Sequence, residues 1–70
     1  MAHTASKKLK EIPPKETAWV RCRSPDGAEY IITSSPDRSV YSLYRLVDGG
    51  VERVAKDCSP VSFDKVIYGS

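Results

Sequence analysis

The residue types that most often carry chemistry are scarce in this chain of 70 residues. Its one histidine, His3, lies near the N-terminus, and its two cysteines, Cys22 and Cys58, are 36 positions apart. A zinc site needs several His, Cys or carboxylate ligands that converge, and a cysteine nucleophile needs a neighbouring base to form its thiolate. The spacing offers neither arrangement, so we predict no catalytic residue, no metal site and no cofactor.

Carboxylates and glycines lead to the same expectation. Asp57 with Asp64, or Asp26 with Glu29, could form an acid pair, but turn and surface carboxylates occur in every domain and no spacing singles these out. Glycine occurs at positions typical of turns and never as a phosphate-binding loop before a helix. We therefore expect a protein that is not an enzyme.

A tryptophan and two arginines provide the strongest pattern for binding. Trp19, Arg21 and Arg23 alternate with smaller apolar residues, which is the period of a β-strand. An aromatic ring flanked by arginines on one strand face can stack a base and hold its phosphate backbone. Single-stranded nucleic-acid binding is thus an alternative function, with the candidate residues Trp19, Arg21, Arg23, Lys7, Lys8 and Lys10.

The distribution of charge argues against that alternative. The net charge is +2, and residues 1–16 account for it with four lysines and two glutamates. Residues 17–70 hold seven basic and seven acidic residues and are neutral. Nucleic-acid recognition normally requires a clustered positive field. A protein partner or a homodimer is therefore the preferred expectation, with nucleic acid second.

The N-terminal residues show neither a helical nor a β period. Pro13-Pro14 prevents a helix from continuing, and small or charged residues dominate. We predict a flexible basic N-terminal arm over residues 1–16 and a small β-rich domain over residues 17–70.

The composition also indicates the cellular compartment of the protein. No apolar run approaches the ~20 residues of a membrane span, and the first residues lack the apolar core of a secretory signal. Two cysteines are too few for the disulfide framework of a small secreted domain, so we expect free thiols. These features predict a cytoplasmic protein that does not act at a membrane.

The dipeptide Asp48-Gly49 organises the centre of the chain. It separates two runs rich in β-branched, aromatic and aliphatic residues and suits a type I′ turn, which predicts a β-hairpin. The register places apolar residues, opposite charges and an aromatic–arginine pair across from one another. It pairs Leu46 with Val51, Arg45 with Glu52, Tyr44 with Arg53 and Leu43 with Val54.

A second hairpin is predicted around Pro25-Asp26-Gly27. A three-residue loop closed by Ser24 and Ala28 is favoured because Gly27 can adopt a positive φ. The expected pairs are Arg23 with Glu29, Cys22 with Tyr30, Arg21 with Ile31, Val20 with Ile32 and Trp19 with Thr33.

Ser35-Pro36-Asp37-Arg38 repeats the same turn chemistry. A four-residue loop there sets Ile32 opposite Tyr41 and Tyr30 opposite Leu43. One face of the sheet is then Val20, Cys22, Tyr30, Ile32, Tyr41, Leu43 and Val54. The other is Trp19, Ile31, Val40, Tyr44, Leu46, Val51 and Ala55, beside Arg21, Arg23, Glu29 and Arg53.

In the C-terminal residues the spacing of apolar side chains changes from that of a strand to that of a helix. Ser59-Pro60 is typical of a helix start, Phe63, Val66 and Ile67 share one helical side, and Gly69 can end the helix. The fold predicted is mainly β, a four-stranded antiparallel meander with a short C-terminal helix. The alternative is a fifth strand over Lys65–Tyr68 that closes a five-stranded SH3-like small barrel.

One short helix covers one face of such a sheet. The other face would expose a large apolar patch, and such patches mark partner sites. We therefore expect a small non-catalytic binding or regulatory module that acts by protein–protein interaction through an apolar sheet face. The predicted partner-binding residues are Trp19, Ile31, Tyr44, Leu46 and Val51.

Overall fold

The computed structural model describes residues 7–69, which form one antiparallel sheet and one short helix. The strands follow one another in the sheet in the order β1-β5-β4-β3-β2, so that β1 and β2 are its two edges. The elements are β1 (Lys7–Leu9), β2 (Thr17–Arg23), β3 (Glu29–Ser34), β4 (Tyr41–Val47), β5 (Gly50–Asp57) and α1 (Phe63–Tyr68).

The predicted fold class is confirmed: the chain is mainly β, with a meander and a short C-terminal helix. The barrel alternative is wrong, since β1 and β2 are not paired and the sheet stays open. Residues 65–68, proposed as its closing strand, belong to α1.

The additional strand comes from the N-terminal segment. β1 pairs with β5, with Leu9 opposite Val51. This segment was predicted to be part of a flexible arm. A strand of three residues is too short to show an alternating pattern, and it exists because β5 offers it a free edge. Residues 1–6 of the predicted arm, with His3, lie outside the described residues.

The β2–β3 hairpin has the predicted turn. The Ser24 N–H donates to the Ala28 carbonyl over 2.8 Å, and Gly27 has φ +96°. The register agrees with the prediction from Arg23 opposite Glu29 as far as Val20 opposite Ile32. It then breaks at a β-bulge, where Ala18 instead of Trp19 faces Thr33.

The β4–β5 hairpin also turns at Asp48-Gly49. Gly49 has φ +82°, but Arg38 is the only non-glycine residue among those described with a positive φ, so the type I′ assignment for Asp48 is wrong. Val51 faces Leu46 and Arg53 faces Tyr44, as predicted. A second bulge follows in β5.

The bulge in β5 leaves Val54 as the extra residue. Leu43 faces Ala55 and not Val54, and Ser42 faces Lys56. A bulge shifts the alternation of side chains by one residue. Residues 53 and 56 would lie on opposite faces of a regular strand; here both lie on the face that carries Tyr44 and Ser42.

The β3–β4 loop is Pro36–Ser39, one residue further along than predicted. The Ser35 N–H donates to the Val40 carbonyl over 2.9 Å. Ile32 consequently faces Leu43, and Tyr30 faces Arg45. The predicted pairing was wrong by two positions, but faces alternate with a period of two, so the assignment of β4 side chains to faces survives.

The hydrophobic core lies between the sheet and α1. Tyr30, Leu43, Phe63 and Ile67 are buried together. Ser59 accepts a hydrogen bond from the Val61 N–H and starts a short 3-10 turn over Pro60–Ser62, which leads into α1. Gly69 ends the helix with φ +75°.

One residue of the predicted helix face does not join the core. Val66 is exposed, whereas Phe63 and Ile67 are buried. Residues four apart lie on the same helix side, and in a helix of six residues one such pair fills the contact with the sheet.

The other face of the sheet is crossed by the segment from Lys10 to Glu16. It must connect the edge strand β1 to the edge strand β2, across four interstrand spacings of about 4.8 Å in a flat sheet. At its end, the Glu16 carboxylate accepts hydrogen bonds from the hydroxyls of Thr33 and Tyr44 at 2.7 and 2.9 Å. Both faces of the sheet are therefore covered, at least in part.

Candidate functional site

The predicted partner-binding residues do not form one exposed surface. Tyr44 is 0% exposed and Val51 is 5% exposed, so neither can contact a partner in this conformation. Ile31 and Leu46 are half-buried. Only Trp19, at 48%, is well exposed. The expectation of an uncovered face was wrong, because the segment of residues 10–16 was treated as a free arm.

Trp19 occupies the bulge of β2 and is held by two contacts. Its indole N–H donates to the Ser34 hydroxyl over 2.8 Å, and the Arg38 guanidinium lies 4.6 Å from the centre of its ring. Ser34 shares its face with Tyr30 and Ile32, since side chains alternate along β3. The tryptophan thus leans toward the helix side of the sheet, not toward Tyr44 as predicted.

Sequence reasoning missed the role of Arg38. This residue adopts φ +61°, a left-handed conformation that brings the guanidinium over the indole. Asp37 stabilises the loop by accepting from the hydroxyls of Ser35 and Ser39, and these bonds lower the Asp37 pKa to about 2. The Ser-Pro-Asp pattern indicated the turn, but nothing local indicated the stacking partner, which is 19 positions away.

The outer edge of β2 is the longest accessible edge in the described structure. Every residue of this seven-residue strand except Cys22 is exposed. Antiparallel strands bond their partner at every second residue, and Ser24 is bonded to β3 through its N–H. Cys22 and Val20 therefore bond inward as well, whereas the N–H and C=O groups of Arg21 and Arg23 point away from the sheet.

The two arginines of this edge share one carboxylate. Arg23 and Arg21 bind the two oxygens of Glu29 at 2.7 and 3.3 Å. Hydrogen bonding to Arg23, and then to Arg21, lowers the Glu29 pKa. The pairing of Arg23 with Glu29 was predicted, but the second pair was not. Two guanidinium groups share one carboxylate, so this part of the edge has an excess of positive charge.

The residues of the nucleic-acid alternative are divided between two places. Trp19, Arg21 and Arg23 belong to β2, whereas Lys8 lies in β1 and Lys10 directly after it. These strands are the opposite edges of the open sheet. The backbone of Lys7 also belongs to β1. Lys8 and Lys10 therefore do not extend the surface of Trp19, Arg21 and Arg23.

The possible metal ligands of residues 7–69 are scattered and do not converge. No group of three or more His, Cys, Asp or Glu side chains there could hold a metal ion. Cys22 and Cys58 are free thiols, and burial, with a smaller contribution from the Asp64 charge, raises the pKa of Cys22. Within the same residues, no helix has the length and apolar character needed to cross a membrane.

Comparison of the chain with protein-family models, with curated proteins and with solved structures found no significant match to any of them. The function is therefore inferred from the geometry of the chain itself.

Proposed function

We propose that this protein is a non-catalytic binding module that accepts an extended segment of a protein partner along the outer edge of β2. The observation that carries the proposal is the exposed edge strand, seven residues long, whose outward backbone groups at Arg21 and Arg23 have no partner strand in the described structure. Unpaired N–H and C=O groups on an edge bind a further strand readily, and the main-chain hydrogen bonds supply affinity.

The edge of β2 is better suited to this role than the other surfaces of the sheet. The segment of residues 10–16 crosses one face, and α1 packs on the other. The opposite edge, β1, has only three residues, and very short edge strands are a common protection against pairing. The proposal retains a protein partner but moves the contact from the sheet face to its edge.

The side chains around the edge indicate the chemistry of the partner segment. Trp19 and Val20 are 48% and 52% exposed and offer apolar contact. Arg21 and Arg23 share the single carboxylate of Glu29, and the Arg38 guanidinium lies over the Trp19 ring. A segment with acidic side chains next to an apolar or aromatic one complements this surface in both charge and shape.

A proline substitution at the edge provides a sharp test. Arg21→Pro removes an outward N–H without removing a bond to β3, because proline is tolerated on the solvent side of an edge strand. Arg21→Ala removes the same charge but keeps the N–H. Peptides selected from a displayed random library against the wild-type protein should bind Arg21→Ala with a modest loss and Arg21→Pro with a loss of about tenfold or more, measured by isothermal titration.

Equal affinities for the two variants would contradict strand addition, as would a failure to select any peptide. Circular dichroism of both variants serves as the control for folding. Sedimentation of the wild-type protein identifies a second copy as the occupant if a dimer forms that Arg21→Pro dissociates. Salt-sensitive binding of a mixed-sequence oligonucleotide that requires Trp19 would instead favour nucleic-acid binding.

The proposal includes action in the cytoplasm. Its support is that both cysteines are free thiols, the usual state in a reducing compartment.

A further inference from the structure

A polar cavity lies on the face of the sheet opposite α1. Its volume is about 220 Å³. Four of its lining residues carry the argument: Glu16, Ser42, Arg53 and Lys56, with Ser35 and Val40 at its margin. This cavity is separate from the outer edge of β2.

The bulge in β5 creates the cavity's positive charge. Ser42 faces Lys56 directly, and Tyr44, one step along the same face, is paired with Arg53. In a regular strand, one of the two cations would point to the helix side. Bulges often re-aim side chains at functional sites, and here the bulge sets a guanidinium and an ammonium next to each other.

Neither cation is neutralised by a carboxylate within the described part of the chain. The ion pairs there involve Arg21, Arg23 and Arg45 only. Arg53 lies near the Tyr44 hydroxyl and lowers the tyrosine pKa, against the larger effects of burial and Glu16. Glu16 uses one oxygen, Oε1, for the hydroxyls of Thr33 and Tyr44. Two cations and one carboxylate leave the cavity with an excess positive charge.

Ser42 supplies an independent sign of a ligand. It is 5% exposed, and no hydrogen bond of its hydroxyl is found within residues 7–69. Every fully buried side-chain N or O atom of those residues has a hydrogen-bond partner. The Ser42 oxygen has none within them, so it is accessible from the cavity. The hydroxyl therefore opens into the cavity, where it can donate a hydrogen bond to a bound group.

We propose that this cavity binds a small oxyanion, such as a phosphate or carboxylate group, through the Arg53 guanidinium, the Lys56 ammonium and the Ser42 hydroxyl. Guanidinium and ammonium groups form short charge-assisted hydrogen bonds with such anions. The volume lies below that of pockets for drug-sized ligands, which restricts the bound part to a small group.

The test is a titration of the isotope-labelled full chain with inorganic phosphate, acetate and phenyl phosphate, followed by amide chemical shifts. Sodium chloride at matched ionic strength is the reference. We expect saturable shifts at Ser42, Arg53 and Lys56. Tighter binding of phenyl phosphate than of phosphate assigns the anion to a larger organic molecule, and tighter binding of acetate assigns a carboxylate; each result supports the site.

Two variants and a matched control make the test specific. Lys56→Gln removes a charge-assisted bond and should weaken binding by about tenfold or more, and Ser42→Ala by about three- to tenfold. Lys65→Gln makes an equal charge change at an exposed position of α1 and should leave the affinity unchanged. Shifts that chloride reproduces, that map to Arg21 and Arg23, or that Lys65→Gln weakens as much as Lys56→Gln would overturn the proposal.

Discussion

Glu16 joins the N-terminal segment to the sheet through two hydroxyl donors. Thr33 is fully buried and so is Tyr44, and both donate to the same carboxylate oxygen. Glu16→Ala would leave both hydroxyls without an acceptor, which should lower the free energy of unfolding by about 1–3 kcal/mol in urea denaturation. Glu16→Gln keeps an acceptor and should cost less.

Glu11→Ala is the matched control for Glu16→Ala. Glu11 is exposed and forms no hydrogen bond or ion pair with the described residues, so its removal changes the net charge equally with little effect on stability. A similar loss for Glu11→Ala and Glu16→Ala would show that charge, and not the hydroxyl contacts, accounts for the effect.

Tyr44 should make the fold sensitive to alkaline pH. Burial, and then the hydrogen bond to Glu16, raises its pKa from the ordinary value of 10.0 to about 12. The folded state thus favours the protonated phenol. Its stabilising contribution is present below the unfolded pKa and is lost as the pH rises from about 10 through about 12.

Thermal unfolding measured from pH 9 upward, over roughly three units, checks this dependence. Tyr44→Phe should show a shallower decline than the wild type, while Tyr68→Phe, at an exposed position, should follow the wild type. An equally steep decline in Tyr44→Phe would mean that other groups cause the alkaline transition.

At the level of elements, the two glycines of the β4–β5 hairpin have different roles. Gly49 adopts φ +82° in open space, whereas a side chain at Gly50 would collide with the backbone of Leu9 and Lys10. Gly50→Ala should therefore displace β1 and leave the turn in place. Amide hydrogen exchange should show loss of protection in residues 7–9 but not in β4.

A truncation separates the two effects. In a chain that lacks residues 1–10, Gly50→Ala should have little effect on stability, because the colliding backbone of Leu9 and Lys10 is absent. A persistent cost in the truncated chain would show that Gly50 is needed for the hairpin itself and would contradict the close approach of β1.

Sequence reasoning predicted those elements whose residues act locally. Gly27 and Asp48-Gly49 set the turns, and Ser59 and Gly69 set the limits of the helical region, so each was recognised from adjacent residues. The bulges at Trp19 and Val54 were missed because no nearby residue marks them. β1 was missed because its pairing depends on β5, more than 40 positions away.

The candidate site shows the same division. Arg21 and Arg23 were placed on one strand from their alternation, and the turn placed Arg23 opposite Glu29. The contact of Arg38 with Trp19 and the position of Lys56 beside Ser42 depend on the left-handed loop residue and the β5 bulge. Both are tertiary features that a pattern of residue types does not record.

The whole molecule is small, and its core consists of one helix packed on one face of the sheet. A chain of 70 residues buries a limited fraction of its surface, so its stability is expected to be modest. The N-terminal segment adds cover on the second face through β1 and Glu16. Because α1 and the N-terminal segment each cover a face of the sheet, the outer edge of β2 is the surface that the proposed partner would occupy.

Residue-resolved hydrogen exchange of the wild-type protein, with and without a selected acidic peptide, tests this central claim most directly. The outward amides of Arg21 and Arg23 should exchange rapidly in the free protein and become protected when the peptide adds a strand. The amides of Val20 and Cys22 already bond to β3 and should change little. Protection at β1 or on α1, with Arg21 and Arg23 still exchanging freely, would contradict strand addition at β2.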